Sequence, residues 1–174
     1  MCHLPTNNDS DALSLALILI VSAVILRRAV RALLCSPADE VLLIKHWDST
    51  SGDVFWVTPG GGLEAGEDVA TCLRRELFEE TGLVVSKIGP PVWRRVNEFA
   101  WQGGQYKQEE TFYLIRHPRF TPLADNATAT ERNAFAGFGW WTVESLRTST
   151  ETFSPSNLAS ILRKVLRGST DRGP

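Results

Sequence analysis

The segment from Glu67 to Gly82 constrains the fold most, because it has the pattern of an amphipathic helix with charged residues beside its apolar stripe. At about 100° per residue, Ala70, Leu73 and Leu77 share one side of such a helix. Gly82 stands where a C-terminal cap belongs, so the pattern predicts a helix over residues 67–81.

Three carboxylates border the apolar stripe of this predicted helix. Glu76, Glu79 and Glu80 fall within an arc of roughly 100°. Glu76 and Glu80 are like charges four residues apart, and acidic groups at a helix C-terminus oppose the helix dipole. A divalent cation bound by these hard oxygen ligands would offset both penalties. The alternative is a solvated acidic face on which Arg75 pairs with Glu79.

The loop before the helix favours a ligand site over a solvated face. It contains three consecutive glycines, Gly60 to Gly62, after Pro59. Glycines let backbone carbonyls and amides approach a ligand closely. The loop also leads towards a helix N-terminus, where anionic groups are stabilised.

The spacing of these residues resembles the signature of the Nudix hydrolases. Gly61 is followed after five residues by Glu67, and after seven more by the run Arg75-Glu76-Leu77-Phe78-Glu79-Glu80-Thr81-Gly82-Leu83. The signature consists of a Gly, a Glu, an Arg-Glu pair, an apolar residue, a Glu-Glu pair, a Gly and an apolar residue. The chain agrees with it at every defined position.

This resemblance implies metal-dependent hydrolysis of a nucleoside diphosphate linked to another group. Water would attack one phosphorus of the diphosphate with Mg²⁺ bound, Mn²⁺ being the alternative ion. Glu76 and Glu80 are then the expected metal ligands, Glu79 a ligand or the base, and the carbonyl of Gly60 a further ligand. The remaining signature residues would have supporting roles: Arg75 orients the glutamates, Glu67 braces the junction of loop and helix, and Gly61 and Gly82 are structural.

The order of elements predicts a single α/β (α+β) domain. The resemblance implies a Nudix-type α/β/α sandwich with a mixed β-sheet, and we expect this domain to span residues 27–168. A last helix is expected to be capped by Ser154, with Pro155 at its first position, and to end at Gly168. The expected strands are Ala29–Cys35, Val41–Ile44, Phe55–Val57, Leu83–Ile88, Val92–Trp101, Tyr106–Arg116 and Phe138–Thr142, and residues 118–132 are expected to form a long loop.

The N-terminus carries an uncharged apolar run over residues 12–26. A membrane-spanning helix needs about 20 apolar residues, and Asp9 and Asp11 precede the run where a signal peptide has basic residues. We expect residues 1–26 to be a leader of a cytoplasmic protein. The alternatives are a membrane anchor with a cytoplasmic body, which the basic residues after the run would suit, and a non-native extension. Residues 169–174 are expected to be a frayed tail.

Composition narrows the class of partner. With 18 basic and 20 acidic residues, the formal net charge of −2 argues against a nucleic-acid-binding protein. The three cysteines form no CxxC pair, which indicates a reduced protein without structural zinc.

Candidate site residues outside the signature are less constrained. Glu110 is the candidate for the further catalytic acid that Nudix relatives often carry, with Glu109 and Glu131 as substitutes. The alternative is that Glu109 and Glu110 protect an edge strand. Arg94 and Arg95 are candidates for a distal phosphate. Trp56, Trp101 and Tyr106 are candidates for stacking on a base, with packing in the core as the alternative.

The substrate is not fixed by the sequence. The positions at which some Nudix subgroups carry a Pro or a Tyr hold Phe99, Ala100 and Trp101 here. A nucleoside diphosphate or triphosphate, an oxidised one included, and a nucleotide sugar stay open. The resemblance also makes a homodimer a candidate assembly. The alternative function is a catalytically weak Nudix module that binds a nucleotide and regulates a partner.

Overall fold

The computed structural model describes residues 24–101, 104–124 and 129–170. The apolar run predicted to be a leader lies outside these residues, except for its last three positions, and so does the tail from residue 171. Within the described ranges, no helix is both long and apolar enough to cross a bilayer.

The described residues form a mixed sheet. Its strands follow the order β4-β5-β1-β2-β3-β7, with β6 paired to β2. The pairs β1/β5 and β3/β7 are parallel, and the other pairs are antiparallel. The strands are β1 (Val24–Cys35), β2 (Val41–Trp47), β3 (Val54–Val57), β4 (Pro91–Trp101), β5 (Gly104–Arg116), β6 (Phe135–Trp141) and β7 (Phe153–Ser154).

Helices cover both faces of this sheet, as the predicted α/β/α sandwich requires. The helices are α1 (Val69–Thr81), α2 (Ala129–Ala134), α3 (Val143–Thr148) and α4 (Leu158–Thr170). Side chains of α1 pack with Val30, Ala32 and Leu34 on one face, while those of α4 pack with Leu33 and Cys35 on the other. The alternation of β1 therefore supplies both cores, and burial of each large aliphatic side chain contributes roughly 1.5–3 kcal/mol.

Helix α1 has a capping residue at each end. Asp68 is the N-cap, and its Oδ1 accepts hydrogen bonds from the amides of Ala70 and Thr71 at 2.8 and 3.0 Å. Gly82 closes the helix with a φ of 72°, and Leu83 N donates to Leu77 O at 3.3 Å. The helix starts two residues later than predicted, because Glu67 lies in the preceding loop.

The predicted strand over Leu83–Ile88 is wrong. Leu83 is buried and Val84 is exposed, so these side chains alternate as in a strand, but the backbone pairs with no strand among the described residues. Instead, the carbonyls of Val85 and Ser86 accept hydrogen bonds from the Arg74 guanidinium at 3.2 and 3.0 Å. A helix side chain thus satisfies acceptors that a neighbouring strand would otherwise have paired.

The last helix also differs from its predicted bounds. Ser154 belongs to β7, where it pairs in parallel with Val57, so it is not a helix cap. Helix α4 begins at Leu158 and continues past Gly168 to Thr170. The sequence analysis did not predict two further helices. One is α2, which lies partly within the predicted loop 118–132, and the other is α3.

Strand β1 is longer than the sequence suggested. It begins at Val24 rather than Ala29, so the domain boundary expected at residue 27 falls inside it. Its N-terminal half pairs in register with β5, from Val24 opposite Gln105 to Arg28 opposite Glu109. This half of the strand is solvent-exposed, so its place in the sheet comes from pairing with a partner some 80 residues away rather than from burial.

Candidate active site

The glycine-rich loop runs alongside β1. Ala32 N donates to Pro59 O at 2.8 Å, Val30 N donates to Gly61 O at 2.9 Å, and Leu63 N donates to Arg28 O at 3.0 Å. These bonds fix the loop between the sheet and helix α1.

Two glycines allow the loop to approach its neighbours closely. Gly60 has a φ of +129°, and a Cβ there would overlap the backbone of Val30. A Cβ on Gly61 would overlap the carboxylate of Glu76 instead. Gly60 N donates to Oε2 of Glu80 at 2.6 Å. The loop backbone is therefore in contact with two carboxylates of α1.

Those two carboxylates are buried. Glu76 is 5% exposed and Glu80 is 8% exposed, whereas the side chain of Glu79 is 26% exposed. An isolated buried carboxylate would be costly, so such groups are paired, hydrogen-bonded or bound to a metal. The sequence placed these residues at the border of the buried face, and the structure has them there.

Arg75 connects the signature acids. Its Nε and Nη2 donate to the two oxygens of Glu67, both at 2.9 Å. Its Nη1 donates to Glu76 at 2.8 Å and to Glu79 at 3.1 Å, and Nη2 also reaches Gly62 O at 3.2 Å. The Arg75–Glu79 pair considered from the sequence is thus present, together with two further carboxylates on the same guanidinium.

The electrostatics follow from these contacts. The hydrogen bond from Arg75 lowers the pKa of Glu67 to about 2, against a smaller opposing effect of desolvation. The pKa of Arg75 is raised, chiefly by its bond to Glu67. The pair is therefore ionised throughout the neutral range and ties the loop to the middle of α1. Burial raises the pKa of the neighbouring Cys72 thiol to about 12, which agrees with its interpretation as a packing residue.

A second charged group lies on the sheet. Glu110 of β5 is 2% exposed. Its Oε1 accepts from Arg31 Nε at 3.0 Å and from Gln108 Nε2 at 2.8 Å, and its Oε2 accepts from Arg95 Nε. Burial alone would raise the pKa of Glu110, but Arg31 and Arg95 outweigh it and lower the pKa.

Arg31 joins this group to the loop. Its Nη1 donates to Gly60 O and, at 3.4 Å, to Thr58 O. Because Gly60 N in turn donates to Glu80, the sheet carboxylate and the helix carboxylates are linked through one loop residue. Sequence reasoning missed Arg31, Arg27 and Gln108. The sequence pattern that could have identified them is that these polar residues occur within apolar strands and face one side of the sheet.

The remaining candidates are dispersed. Arg94 alternates with Arg95 along β4. Both arginines border a cleft of about 550 Å³, together with Glu109 and Glu110. Trp56 is 7% exposed in the core, and its Nε1 donates to Glu151 at 3.0 Å. Tyr106 stacks on Phe99 with ring centroids 5.4 Å apart. The side chains of Trp101 and Glu131 lie outside the described part of the structure.

Among the described residues, no three His, Cys, Asp or Glu side chains are grouped closely enough to form a metal site in this conformation. The oxygens nevertheless include the kind that Mg²⁺ prefers: two buried carboxylates and a backbone carbonyl. Guanidinium groups of Arg75 and Arg31 contact Glu76 and Gly60 O, so these oxygens already interact with cations. The donor set therefore fits a hard divalent cation.

Comparison with known families decides the relationship. The family model described as the NUDIX domain matches residues 25–165. This chain belongs to the Nudix family. The match includes the glycine-rich loop, helix α1 and the strands that carry Arg31, Arg95 and Glu110.

Curated relatives match over part of their length. Nucleoside triphosphatase NudI of Enterobacter sp. is 37% identical over 98 residues, which cover 53% of this chain and 65% of that protein. An RNA pyrophosphohydrolase of Dinoroseobacter shibae is 38% identical over 68 residues, which cover 39% of this chain and 41% of that protein. The alignments thus span less than two thirds of these relatives.

Solved structures support the fold. The NUDIX domain of Shewanella oneidensis NrtR, complexed with ADP ribose, has a TM-score of 0.60 at 19% identity, covering 92% of this chain and 99% of that one. The E. coli ORF135 protein has a TM-score of 0.59 at 19% identity, covering 87% and 96%. At these identities, the similarity establishes a shared Nudix fold.

Proposed function

We propose that this Nudix protein is a divalent-metal-dependent pyrophosphohydrolase that cleaves the diphosphate bridge of a nucleoside diphosphate linked to another group. The observation that carries the proposal is the burial of Glu76 and Glu80 against the loop at Gly60 and Gly61. Two buried carboxylates four residues apart repel each other. Bonds from Arg75 and Gly60 N offset part of this cost, and a divalent cation bound between the carboxylates would offset more of it.

Glu76 and Glu80 would hold the metal with the Gly60 carbonyl as a further ligand, and Glu79 would be either a ligand or the base. Mg²⁺ is the expected ion and Mn²⁺ the alternative. When bound, such an ion neutralises phosphate charge and lowers the pKa of water that attacks phosphorus. Arg75 holds Glu67, Glu76 and Glu79 in one arrangement, which orients the acids around the site. Glu67 fixes the loop through its bond from Glu64 N at 3.0 Å.

Proton transfer needs a carboxylate that solvent can reach. Glu79 is the most exposed of the three helix acids and bonds to Arg75 at 3.1 Å. It is therefore our candidate for the base that accepts a proton from the attacking water. Glu110 is the other candidate, proposed from the sequence, but both its oxygens face guanidinium groups.

The substrate class rests on the relatives. Their names include a nucleoside triphosphatase and RNA pyrophosphohydrolases, and one structural neighbour is complexed with ADP ribose. We propose that this chain acts on a small nucleotide of this chemical class, as a cytoplasmic enzyme that assembles as a homodimer. Its net charge of −2 is why we favour a small nucleotide over RNA.

The experiment is a hydrolysis panel with the full chain. Phosphate and pyrophosphate release would be measured from nucleoside and deoxynucleoside triphosphates, oxidised dGTP, ADP-ribose, nucleotide sugars, dinucleoside polyphosphates and 5′-triphosphorylated RNA. Each would be assayed with Mg²⁺, with Mn²⁺ and with EDTA. We expect one compound to be hydrolysed much faster than the others, and only with metal.

Two outcomes would contradict the proposal. Hydrolysis that persists in EDTA would remove the metal from the mechanism. If a folded protein that binds Mg²⁺ hydrolyses none of these compounds, the alternative function is favoured, a regulatory module that binds a nucleotide without cleaving it. Size-exclusion chromatography with light scattering would test the homodimer.

A further inference from the structure

The group around Glu110 has more positive than negative charge. Arg31 and Arg95 both donate to this one carboxylate, and Arg27 donates to Gln108, which in turn donates to Glu110. Two guanidinium groups thus share one buried carboxylate, and a third is linked to it through the amide of Gln108. A partly buried cluster with excess positive charge attracts an anion.

Arg31 and Arg95, which bond directly to Glu110, each have a guanidinium nitrogen that remains available to a ligand. Arg31 uses Nε on Glu110 and Nη1 on the carbonyls of Thr58 and Gly60. Arg95 uses Nε on Glu110 and Nη2 on Ser154 Oγ at 3.1 Å. Within residues 24–101, 104–124 and 129–170, Nη2 of Arg31 and Nη1 of Arg95 have no protein acceptor. Their side chains are 14% and 17% exposed, so these N–H groups are accessible but not freely solvated.

The location of these donors matters as much as their number. Arg31 contacts Gly60, whose amide bonds to Glu80. The acids proposed to hold the metal and the spare guanidinium donors therefore lie on either side of one loop residue. A phosphate group held beside Glu80 would therefore have Arg31 close by, on the other side of Gly60.

We propose that Arg31 and Arg95, here called the arginine pair, bind the phosphate chain of the substrate, and that Glu110 is a positioning residue that orients them. This inference rests on the proposed pyrophosphohydrolase function and gives its site a phosphate subsite on strands β1 and β4. It assigns Glu110 a role in orientation rather than in proton transfer.

The geometry of Glu110 supports this assignment. Its Oε1 accepts two hydrogen bonds and its Oε2 accepts one, all from side chains that hold it in place. The lowered pKa of Glu110 also makes it a weak base. A fixed carboxylate between two guanidinium groups restricts their orientation and so lowers the entropy lost when phosphate binds.

The test measures binding of inorganic pyrophosphate to the full chain in EDTA, by isothermal titration calorimetry. Neither metal nor hydrolysis enters this measurement. We expect Arg31→Gln and Arg95→Gln each to weaken binding about tenfold or more, since each removes a charge-assisted contact. The matched control is Arg28→Gln. Arg28 is an exposed residue of β1 that alternates with Arg31 and borders the cleft of about 550 Å³. Because it lies outside the arginine pair, we expect Arg28→Gln to change the affinity for pyrophosphate by less than about twofold.

Loss of folding would be separated from loss of binding. Thermal unfolding of each variant is measured first, and Arg31→Lys and Arg95→Lys keep the charge while removing the fork. We expect these lysine variants to fold and still to bind pyrophosphate more weakly than the wild type, because Lys cannot present the same paired donors.

The role of Glu110 is tested by kinetics on the best substrate of the panel. For Glu110→Gln we expect KM to rise about tenfold, kcat to change by less than about threefold and the pH profile of kcat to keep its shape. A fall in kcat of about a hundredfold with loss of the acidic limb would overturn the positioning role and make Glu110 the base.

Two results would overturn the proposal that the arginine pair binds phosphate. One is that the wild type fails to bind pyrophosphate in EDTA; the other is that Arg28→Gln weakens binding as much as the pair variants. Neither depends on turnover, so the hydrolase proposal would stand or fall separately in the panel. Pyrophosphate binding through the pair without any hydrolysis would reject only the hydrolase.

Discussion

The acidic side of the site and its arginine side are built in different ways. Glu76, Glu79 and Glu80 come from one turn of helix α1, within five residues of sequence. Arg31 and Arg95 come from strands β1 and β4, and meet at Glu110 of the strand between them. One side is therefore encoded locally and the other by strand pairing, so the two sides should respond differently to substitution.

The largest expected effect is on the acidic side. Glu80→Gln keeps the size of the side chain but removes the charge that we propose holds the metal. We expect the rate of hydrolysis to fall at least about a hundredfold, since metal activation of water contributes several kcal/mol. Steady-state kinetics with Mg²⁺ measures this.

Glu144→Gln is the control for that loss. Glu144 lies in α3 and pairs with Arg147 at 2.6 Å on the surface. The Glu144→Gln variant should therefore hydrolyse the substrate at the wild-type rate. If Glu80→Gln hydrolyses the substrate as fast as the control, the assignment of Glu80 as a metal ligand is wrong.

A substitution in the loop separates the site from the fold. Gly61→Ala would place a methyl group against the carboxylate of Glu76, a side-chain end that can move. We expect a folded protein whose turnover falls about tenfold to a hundredfold because Glu76 is displaced. Activity and thermal unfolding are measured on the same sample.

Gly60→Ala gives the contrast. There the added Cβ meets the backbone of Val30, and φ lies at +129°, so we expect the protein to be destabilised as a whole. Equal loss of stability in both alanine variants would show that Gly61 supports the backbone rather than the approach of Glu76.

The difference between the two sides also explains what the sequence could predict. Helical geometry places residues three and four apart on one face, so the positions of Glu76 and Glu80 followed from periodicity and from the Nudix resemblance. Arg31 meets Glu110 across 79 residues, and neither position alone indicates the other. Only the register of β1 on β5 and of β4 on β5 brings the three strands into that order.

The strand predicted after α1 shows a limit of a different kind. Leu83 and Val85 pack in the core while Val84 is exposed, so the side chains alternate as in a strand. Alternation does not reveal which group pairs the backbone, and here Arg74 does so from the helix. The Leu83–Ile88 segment packs as a strand would, without a neighbouring strand among the described residues.

The neighbours Arg94 and Arg95 test which side of the sheet binds the phosphate. The sequence alone does not distinguish them. Both border the cleft of about 550 Å³, but Arg95 bonds to Glu110, whereas Arg94 alternates to the other side of β4. We expect Arg95→Gln to raise KM about tenfold and Arg94→Gln to have a clearly smaller effect. Michaelis–Menten analysis of both variants decides this, and the reverse order would place the phosphate on the face of α1.

The smallest expected effect concerns stability at low pH. The folded-state pKa of Glu67 is about 2, below the value of about 4.3 in an unfolded chain, so the Glu67–Arg75 pair stabilises the protein above the unfolded value. This stabilisation is lost as pH falls through about 4 towards about 2. Urea unfolding should show wild type more stable than Glu67→Gln by about 1 kcal/mol near neutral pH, the scale of a partly solvated pair. The difference should shrink on acidification.

Glu64→Gln is the control, because Glu64 lies 4.0 Å from Arg75 with its side chain 72% exposed. A difference between wild type and Glu67→Gln that stays constant down to about pH 2.5 would mean that packing at Glu67, not its charge, ties the loop to α1.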